Sequence, residues 1–252
     1  MNLEERYLTV LDELKAKPKL YSSKQAISLI DLTLLEETAS EEELKALGDK
    51  ATQHEVAAIC VFPEQLQKIE ISPTIKRATV VNFPEGEQPN SNLLANIETI
   101  LNNYRPDEID YVFPYKSYFQ GQKNEALAQC QQAYELCRKH GKVFKVILET
   151  GALPSLEMVY ELSAEVINHG CDFLKTSTGK IAQGATLSSA FAILLAIKDS
   201  KKQCGLKVSG GIKKPEQAFN YIKIAELIMA NKVDKSWFRI GASSLLNELI
   251  GQ

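Results

Sequence analysis

Eight short apolar, β-branched runs recur along this 252-residue chain, and their even spacing limits the folds open to it. They are Ile27–Asp31, Val56–Phe62, Lys76–Asn82, Glu108–Phe113, Val143–Glu149, Phe173–Ser177, Gly205–Ser209 and Trp237–Gly241. Most are almost continuously apolar, as strands covered on both faces must be. Between them lie helical patterns at Ser91–Tyr104, Asn124–His140, Pro154–Asn168, Thr186–Lys198 and Pro215–Ala230. Pro154 and Pro215 stand where the first helical turn tolerates a missing N–H, and Gly141 and Gly170 stand where helices stop.

Strand and helix alternate eight times, which predicts βαβ units and a parallel sheet. An open doubly wound sheet is the competing architecture, but its GxGxxG marker after the first strand is absent. Eight regular units in about 250 residues fit a closed (β/α)8 TIM barrel of α/β class. No linker or low-complexity tract divides the chain. A single domain over 1–252 is expected, with an additional N-terminal helix at about 1–17 and the barrel at about 26–250.

Composition narrows the partners. Lys+Arg is 29 and Asp+Glu 32, giving a formal net charge of −3. Such a balance offers no general attraction to nucleic acid or to an anionic membrane. The N-terminal segment is charged and lacks the apolar core of a secretory signal, and no run approaches the roughly 18 apolar residues that span a bilayer. Cysteines 60, 130, 137, 171 and 204 form an odd set without a CxxC pair. Disulfides and structural zinc are not expected, and the reducing cytoplasm fits best.

Some motifs reduce to local structure. The acidic stretch Glu36–Glu43 contains Ser40-x-x-Glu43, a capping-box pattern for a solvated helix. Lys198–Lys202 reads as a basic helix end. Histidines 54, 140 and 169 fall near helix ends and form no ligand cluster. Thr178-Gly179-Lys180 is no Walker A loop, because Leu174 and Ile181 occupy its required Gly and Ser/Thr positions. Cys60 reads as a small buried residue.

Ionisable residues inside the apolar runs are the chemical signal. Asp31, Asp110, Lys145, Lys175 and Lys207 lie in the first, fourth, fifth, sixth and seventh runs. Burying an unpaired charge is costly, so such residues pair or work. Alternate residues of a barrel strand face the lumen, and neighbouring strands lie about 4.8 Å apart. Lys145, Lys175, Lys207 and Asp110 can therefore converge in one interior site; a structural ion-pair network is the alternative. Two ammonium groups about 8 Å apart repel by roughly 2 kcal/mol at an effective dielectric near 20. Desolvation adds to that, and a partly neutral lysine attacks carbonyls to form a Schiff base. Beside it, Thr178-Gly179-Lys180, Ser209-Gly210-Gly211 and Gly241–Ser244 follow the last three runs. Glycines there let backbone N–H groups approach a phosphate; ordinary turns and caps are the alternative.

The segments Ile30–Thr33, Ala58–Pro63, Val80–Gly86, Glu108–Tyr115, Lys145–Gly151, Phe173–Lys180, Lys207–Gly211 and Phe238–Ser244, in order over about 26–246, resemble the deoxyribose-phosphate aldolase family. Lys-Thr-Ser-Thr-Gly-Lys at 175–180 is the most specific of them. The resemblance implies a cytoplasmic lyase that reversibly cleaves 2-deoxy-D-ribose 5-phosphate to D-glyceraldehyde 3-phosphate and acetaldehyde. It implies Lys175 as the Schiff-base lysine, Lys207 as the lysine that perturbs it, and Asp110 as the general acid/base. Gly179, Lys180, Gly210, Gly211, Ser243 and Ser244 would hold the phosphate, and Asp31, Thr33, Cys60, Lys145 and Thr178 would line the sugar site. No cofactor and no metal are implied; the partner is a small phosphorylated sugar, and a homodimer is one assembly open to the chain, whose sequence does not fix an oligomeric state.

Three departures accompany the resemblance. The chain ends at Gln252 without the tyrosine tail some members use for proton transfer. Lys213 stands where some members have arginine, and a variable loop is expected at Leu47–Glu55. Two rival readings are another Schiff-base barrel aldolase with a different phosphorylated sugar, and a non-catalytic sugar-phosphate-binding barrel.

Overall fold

The computed structural model describes residues 2–16 and 21–251. Its strands are β1 Ile30–Leu34, β2 Ala58–Val61, β3 Lys76–Val81, β4 Glu108–Val112, β5 Val143–Ile147, β6 Phe173–Lys175, β7 Gly205–Ser209 and β8 Phe238–Ala242. All pair in parallel and in chain order, and β8 returns to β1 through Ile30↔Ile240 and Asp31↔Gly241. The expected (β/α)8 barrel is thus closed. The helices are α1 Leu3–Ala16, α2 Ser23–Ile27, α3 Glu41–His54, α4 Asn90–Asn103, α5 Tyr115–Phe119, α6 Lys123–Lys139, α7 Leu156–His169, α8 Leu187–Ser200, α9 Pro215–Met229 and α10 Leu245–Ile250. The additional N-terminal helix is present as α1, packed on α7, α8 and α9. The ends of its expected span, residues 1 and 17, lie outside the described residues, as does residue 252. Among the described residues no helix is long and apolar enough to cross a membrane.

Three local expectations change. Ile27 and Ser28 precede the first strand: the Ser22 hydroxyl accepts from Gln25 N–H and starts α2, which buries Ala26 and Ile27. Strand and α-helix do not alternate all eight times, because β2 is followed by a 3₁₀ helix, Pro63–Lys68. Pro63 opens that turn and Pro73 interrupts the remainder, leaving no room for a longer helix. Finally, Leu47–Glu55 is not a loop. It is the second half of α3 and the residue that ends it, with Glu55 in the left-handed region at φ 54°. Gly48 belongs there because a Cβ would stand 2.5 Å from the Glu70 carbonyl oxygen.

Strand alternation divides the interior. Leu32, Ile59, Ile109, Phe144, Leu174, Leu206 and Phe238 join the helices in one apolar cluster outside the barrel. The lumen holds Cys60, Ala78 and Val80 at β2 and β3. Its other strands contribute charges, namely Asp31, Glu108, Asp110, Lys145, Lys175, Lys207 and Arg239, all buried.

The capping box that starts α3 is intact: Ser40 Oγ accepts from Glu43 N–H at 3.2 Å, and Glu43 accepts from Ser40 N–H at 2.8 Å. Ser40→Ala should therefore cost about 1 kcal/mol, lowering Tm by about 2–4 °C for a chain of this size. An unchanged melting curve would show that α3 is fixed by its packing alone.

Candidate active site

Adjacent strands bring the luminal charges into one network. Asp110 and Lys145 are opposite in the β4–β5 register, Lys175 and Lys207 in β6–β7, and Lys207 and Arg239 in β7–β8. Asp110 takes three ammonium groups. Lys145 Nζ lies 2.8 Å from Oδ1, while Lys175 Nζ at 2.8 Å and Lys207 Nζ at 2.7 Å share Oδ2. Lys207 also meets Asp31 Oδ2 at 2.7 Å. Lys145 also meets Glu108 Oε2 at 2.5 Å and Asp31 Oδ2 at 3.5 Å. Arg239 joins the remaining oxygens, with Nη1 2.7 Å from Asp31 Oδ1 and Nη2 3.0 Å from Glu108 Oε1.

The charges do not balance. Lys145, Lys175, Lys207 and Arg239 are four cations; Asp31, Glu108 and Asp110 are three anions. An excess positive charge in a buried cluster is costly, and a proton leaving one lysine removes it. Lys175 is the least supported of the four: its ion pair with Asp110 is made to an oxygen that Lys207 shares.

The titration directions agree. Burial lowers the Lys175 pKa, and Lys207 adds to the fall against the pull of Asp110. Burial works the same way on Lys207, but Asp110 and Asp31 outweigh it and raise its pKa. Lys145, with Asp110 and Glu108 against it, is raised despite burial to about 12. Burial alone would raise the Asp110 carboxyl; the three lysines hold it well below the usual carboxylate range. One lysine is thus biased toward the neutral amine, and it is held by a carboxylate that stays ionised.

A cavity of about 290 Å³ opens over this network at the C-terminal ends of the strands. Of the expected site residues, Thr33, Lys175, Thr178, Gly179, Lys180, Gly210, Gly211 and Ser243 border it, and Lys213 does so too. Asp31, Cys60, Asp110, Lys145 and Lys207 do not; they lie beneath its floor with 0% exposure. On β1 the wall residue is Thr33, two positions nearer the strand end than Asp31, so Asp31 supports the floor. Ser244, the residue before α10, does not border the cavity. Lys175, 3% exposed, is the member of the charged network that reaches the cavity. Glycines 179, 210 and 211 have φ values of 81°, 88° and 79°, and a Cβ on Gly210 would stand 2.9 Å from the Gly184 Cα. The rim there is bare backbone.

Sequence reasoning missed Glu108, Arg239 and Glu149 as site components. The first two obey the rule that exposed the others, a charge inside an apolar run: Glu108 precedes Asp110 by two residues and shares its face. Buried Glu149 stands two residues past β5, in the left-handed region at φ 53°. Its carboxylate accepts from Thr178 N–H and, at 2.5 Å, from Thr178 Oγ1, while Lys180 N–H donates to that hydroxyl. Glu149 thereby ties β5 to the segment between Lys175 and Lys180.

Comparisons with known proteins agree with this architecture. A deoxyribose-phosphate aldolase of Agrobacterium fabrum (strain C58) is 38% identical over 231 residues, covering 89% of this chain and 88% of that protein. The solved structure of QR15, an aldolase, superposes with a TM-score of 0.77 at 25% identity, covering 90% of this chain and 95% of the other. The deoxyribose phosphate aldolase of Aeropyrum pernix shares the fold, with a TM-score of 0.74 at 23% identity over 100% of this chain and 98% of the other. Residues 25–249 match the description of DeoC/LacD family aldolases, and the chain belongs to that family.

Proposed function

We propose that the protein is a class I aldolase that reversibly cleaves 2-deoxy-D-ribose 5-phosphate to D-glyceraldehyde 3-phosphate and acetaldehyde, with Lys175 as the Schiff-base residue. One observation carries the reading: Lys175 is the lysine whose pKa is lowered, and it reaches from the charged floor into the cavity. The names of the relatives support the substrate.

The neutral Lys175 amine attacks the C1 aldehyde, and the carbinolamine loses water to give an iminium. A base then takes the proton of the C3 hydroxyl, the C2–C3 bond breaks, and its electrons flow into the iminium to form an enamine. Glyceraldehyde 3-phosphate leaves. Protonation of the enamine at C2 and hydrolysis of the new iminium release acetaldehyde and restore the lysine. Asp110 lies below Lys175 and bonds it at 2.8 Å, so it acts on substrate through Lys175 and water. Lys207, bonded to the same oxygen, completes a path along which a proton can pass. Such assistance typically contributes about 10²–10⁴-fold. The bare rim at Gly179, Gly210 and Gly211, with Ser243 and the Lys180 ammonium, is suited to the phosphate. Lys213 would add a point charge there, without a bidentate fork. The iminium itself is the electron sink. The reading includes a cytoplasmic location, for which the unpaired cysteines give support.

Borohydride reduction in the presence of deoxyribose 5-phosphate should trap a covalent adduct on Lys175, located by peptide mass mapping. No adduct, or an adduct on Lys207 alone, would overturn the assignment. Faster turnover of fructose 1,6-bisphosphate than of deoxyribose 5-phosphate would point to a different aldolase. Binding of deoxyribose 5-phosphate without turnover, with Lys175→Ala changing affinity alone, would point to a binding protein.

The pH dependence tests the role of Lys207. Its positive charge lowers the Lys175 pKa, so Lys207→Leu should raise that pKa and leave less neutral amine at a given pH. The acid limb of the rate of borohydride trapping should then move to higher pH. Trapping that keeps the wild-type pH profile while substrate binding weakens would show that Lys207 does not perturb Lys175.

A further inference from the structure

Two thiols meet at the end of the barrel opposite the cavity. Cys171 follows α7 and stands two residues before β6; Cys204 follows α8 and stands one residue before β7. There the strands begin side by side, with Phe173 in register with Gly205, and Gly205 N–H donates to the Asp172 carbonyl at 2.8 Å. The two Sγ atoms are 3.6 Å apart. Cys171 is 7% exposed and Cys204 is half-buried, so a reagent in solution reaches Cys204 first.

This geometry suits a covalent link. The two sulfurs, 3.6 Å apart, need only close to the roughly 2.05 Å of a disulfide. Both thiols stand one or two residues before strands that pair with each other, so closing the bond asks mainly for side-chain rotation. The bond to Cys204, then burial, raises the Cys171 pKa, so Cys171 is not the first sulfur to attack. The other three cysteines are placed differently: Cys60 is in the lumen, and Cys130 and Cys137 are enclosed on α6, all at 0% exposure.

We propose that Cys171 and Cys204 form a reversible disulfide by exchange with a low-molecular-weight disulfide such as oxidised glutathione, stapling β6 to β7. In the first step the Cys204 thiolate attacks one sulfur of the reagent. A mixed disulfide forms on Cys204, and one small thiol leaves. The Cys171 sulfur then attacks Sγ of Cys204, its proton going to the second departing thiol. In sum, two protein thiols are oxidised by two electrons, and one small disulfide is reduced to two thiols. The link encloses the segment 171–204, which carries Lys175, the glycine rim at 179 and the whole of α8. Cross-linking restricts the unfolded chain, while the cavity end of the strands is left untouched.

Incubation of the native protein with oxidised glutathione, then acid denaturation and alkylation, tests this. Five cysteines are present; three should be alkylated, the peptides containing Cys171 and Cys204 should be joined, and no glutathione should remain. Tm should rise by about 5–10 °C and return on reduction. Cys171→Ser should keep one glutathione on Cys204, and Cys204→Ser should take up none. The proposal fails if the wild type keeps five thiols, if it carries a stable adduct on Cys204, or if Cys130 enters the link.

Discussion

One carboxylate organises the interior of this barrel. Asp110 is completely buried and contacts three lysine ammonium groups from three different strands. Those contacts make burial of the lysines tolerable, and the lysines in turn keep the carboxylate ionised. Breaking a buried pair by removing one partner typically costs about 3–5 kcal/mol, and here one residue serves three partners. The lumen therefore depends on Asp110 in a way that an apolar core would not depend on any single leucine.

Lys175 and Lys207 are identical in covalent structure and opposite one another in the β6–β7 register, yet they titrate in opposite directions. The second carboxylate makes the difference. Lys207 has Asp31 as well as Asp110, and Asp31 is itself fixed by Arg239. Lys175 has only a share of Asp110 Oδ2. The reactivity of the lysine at the cavity floor thus traces back, through Lys207 and Asp31, to an arginine on β8 that does not border the cavity.

Much of this was legible in the chain. Near-continuous apolar runs at even spacing predict the closed parallel barrel, because only strands covered on both faces tolerate such composition. Charges interrupting those runs marked Asp31, Asp110, Lys145, Lys175 and Lys207 by the cost of burying them. Period-two alternation would equally have marked Glu108 and Arg239. Their partners could not be read locally, since Arg239 meets Asp31 only once β8 closes onto β1. Depth was hidden for a related reason. Whether Asp31 or Thr33 faces the cavity depends on strand stagger around the whole barrel. The helix α2 and the 3₁₀ turn after β2 were obscured by local chemistry, a Ser22 cap in one case and two prolines in the other.

Depth also explains why Lys175, and not Lys145, is suited to meet a substrate. Both contact Asp110, and burial pushes both toward the neutral amine. Lys145 sits lower, ringed by Glu108, Asp110 and Asp31, whose attraction overrides burial and keeps its proton. In the β5–β6 register Lys175 stands opposite Ile147, two residues nearer the cavity than Lys145. That single inward-facing step takes it past Glu108 and Asp31, leaves it one shared carboxylate, and puts its nitrogen at the cavity floor. Access and loss of a second carboxylate thus coincide at Lys175, whereas Lys207, opposite it in register, keeps Asp31 and stays beneath the floor.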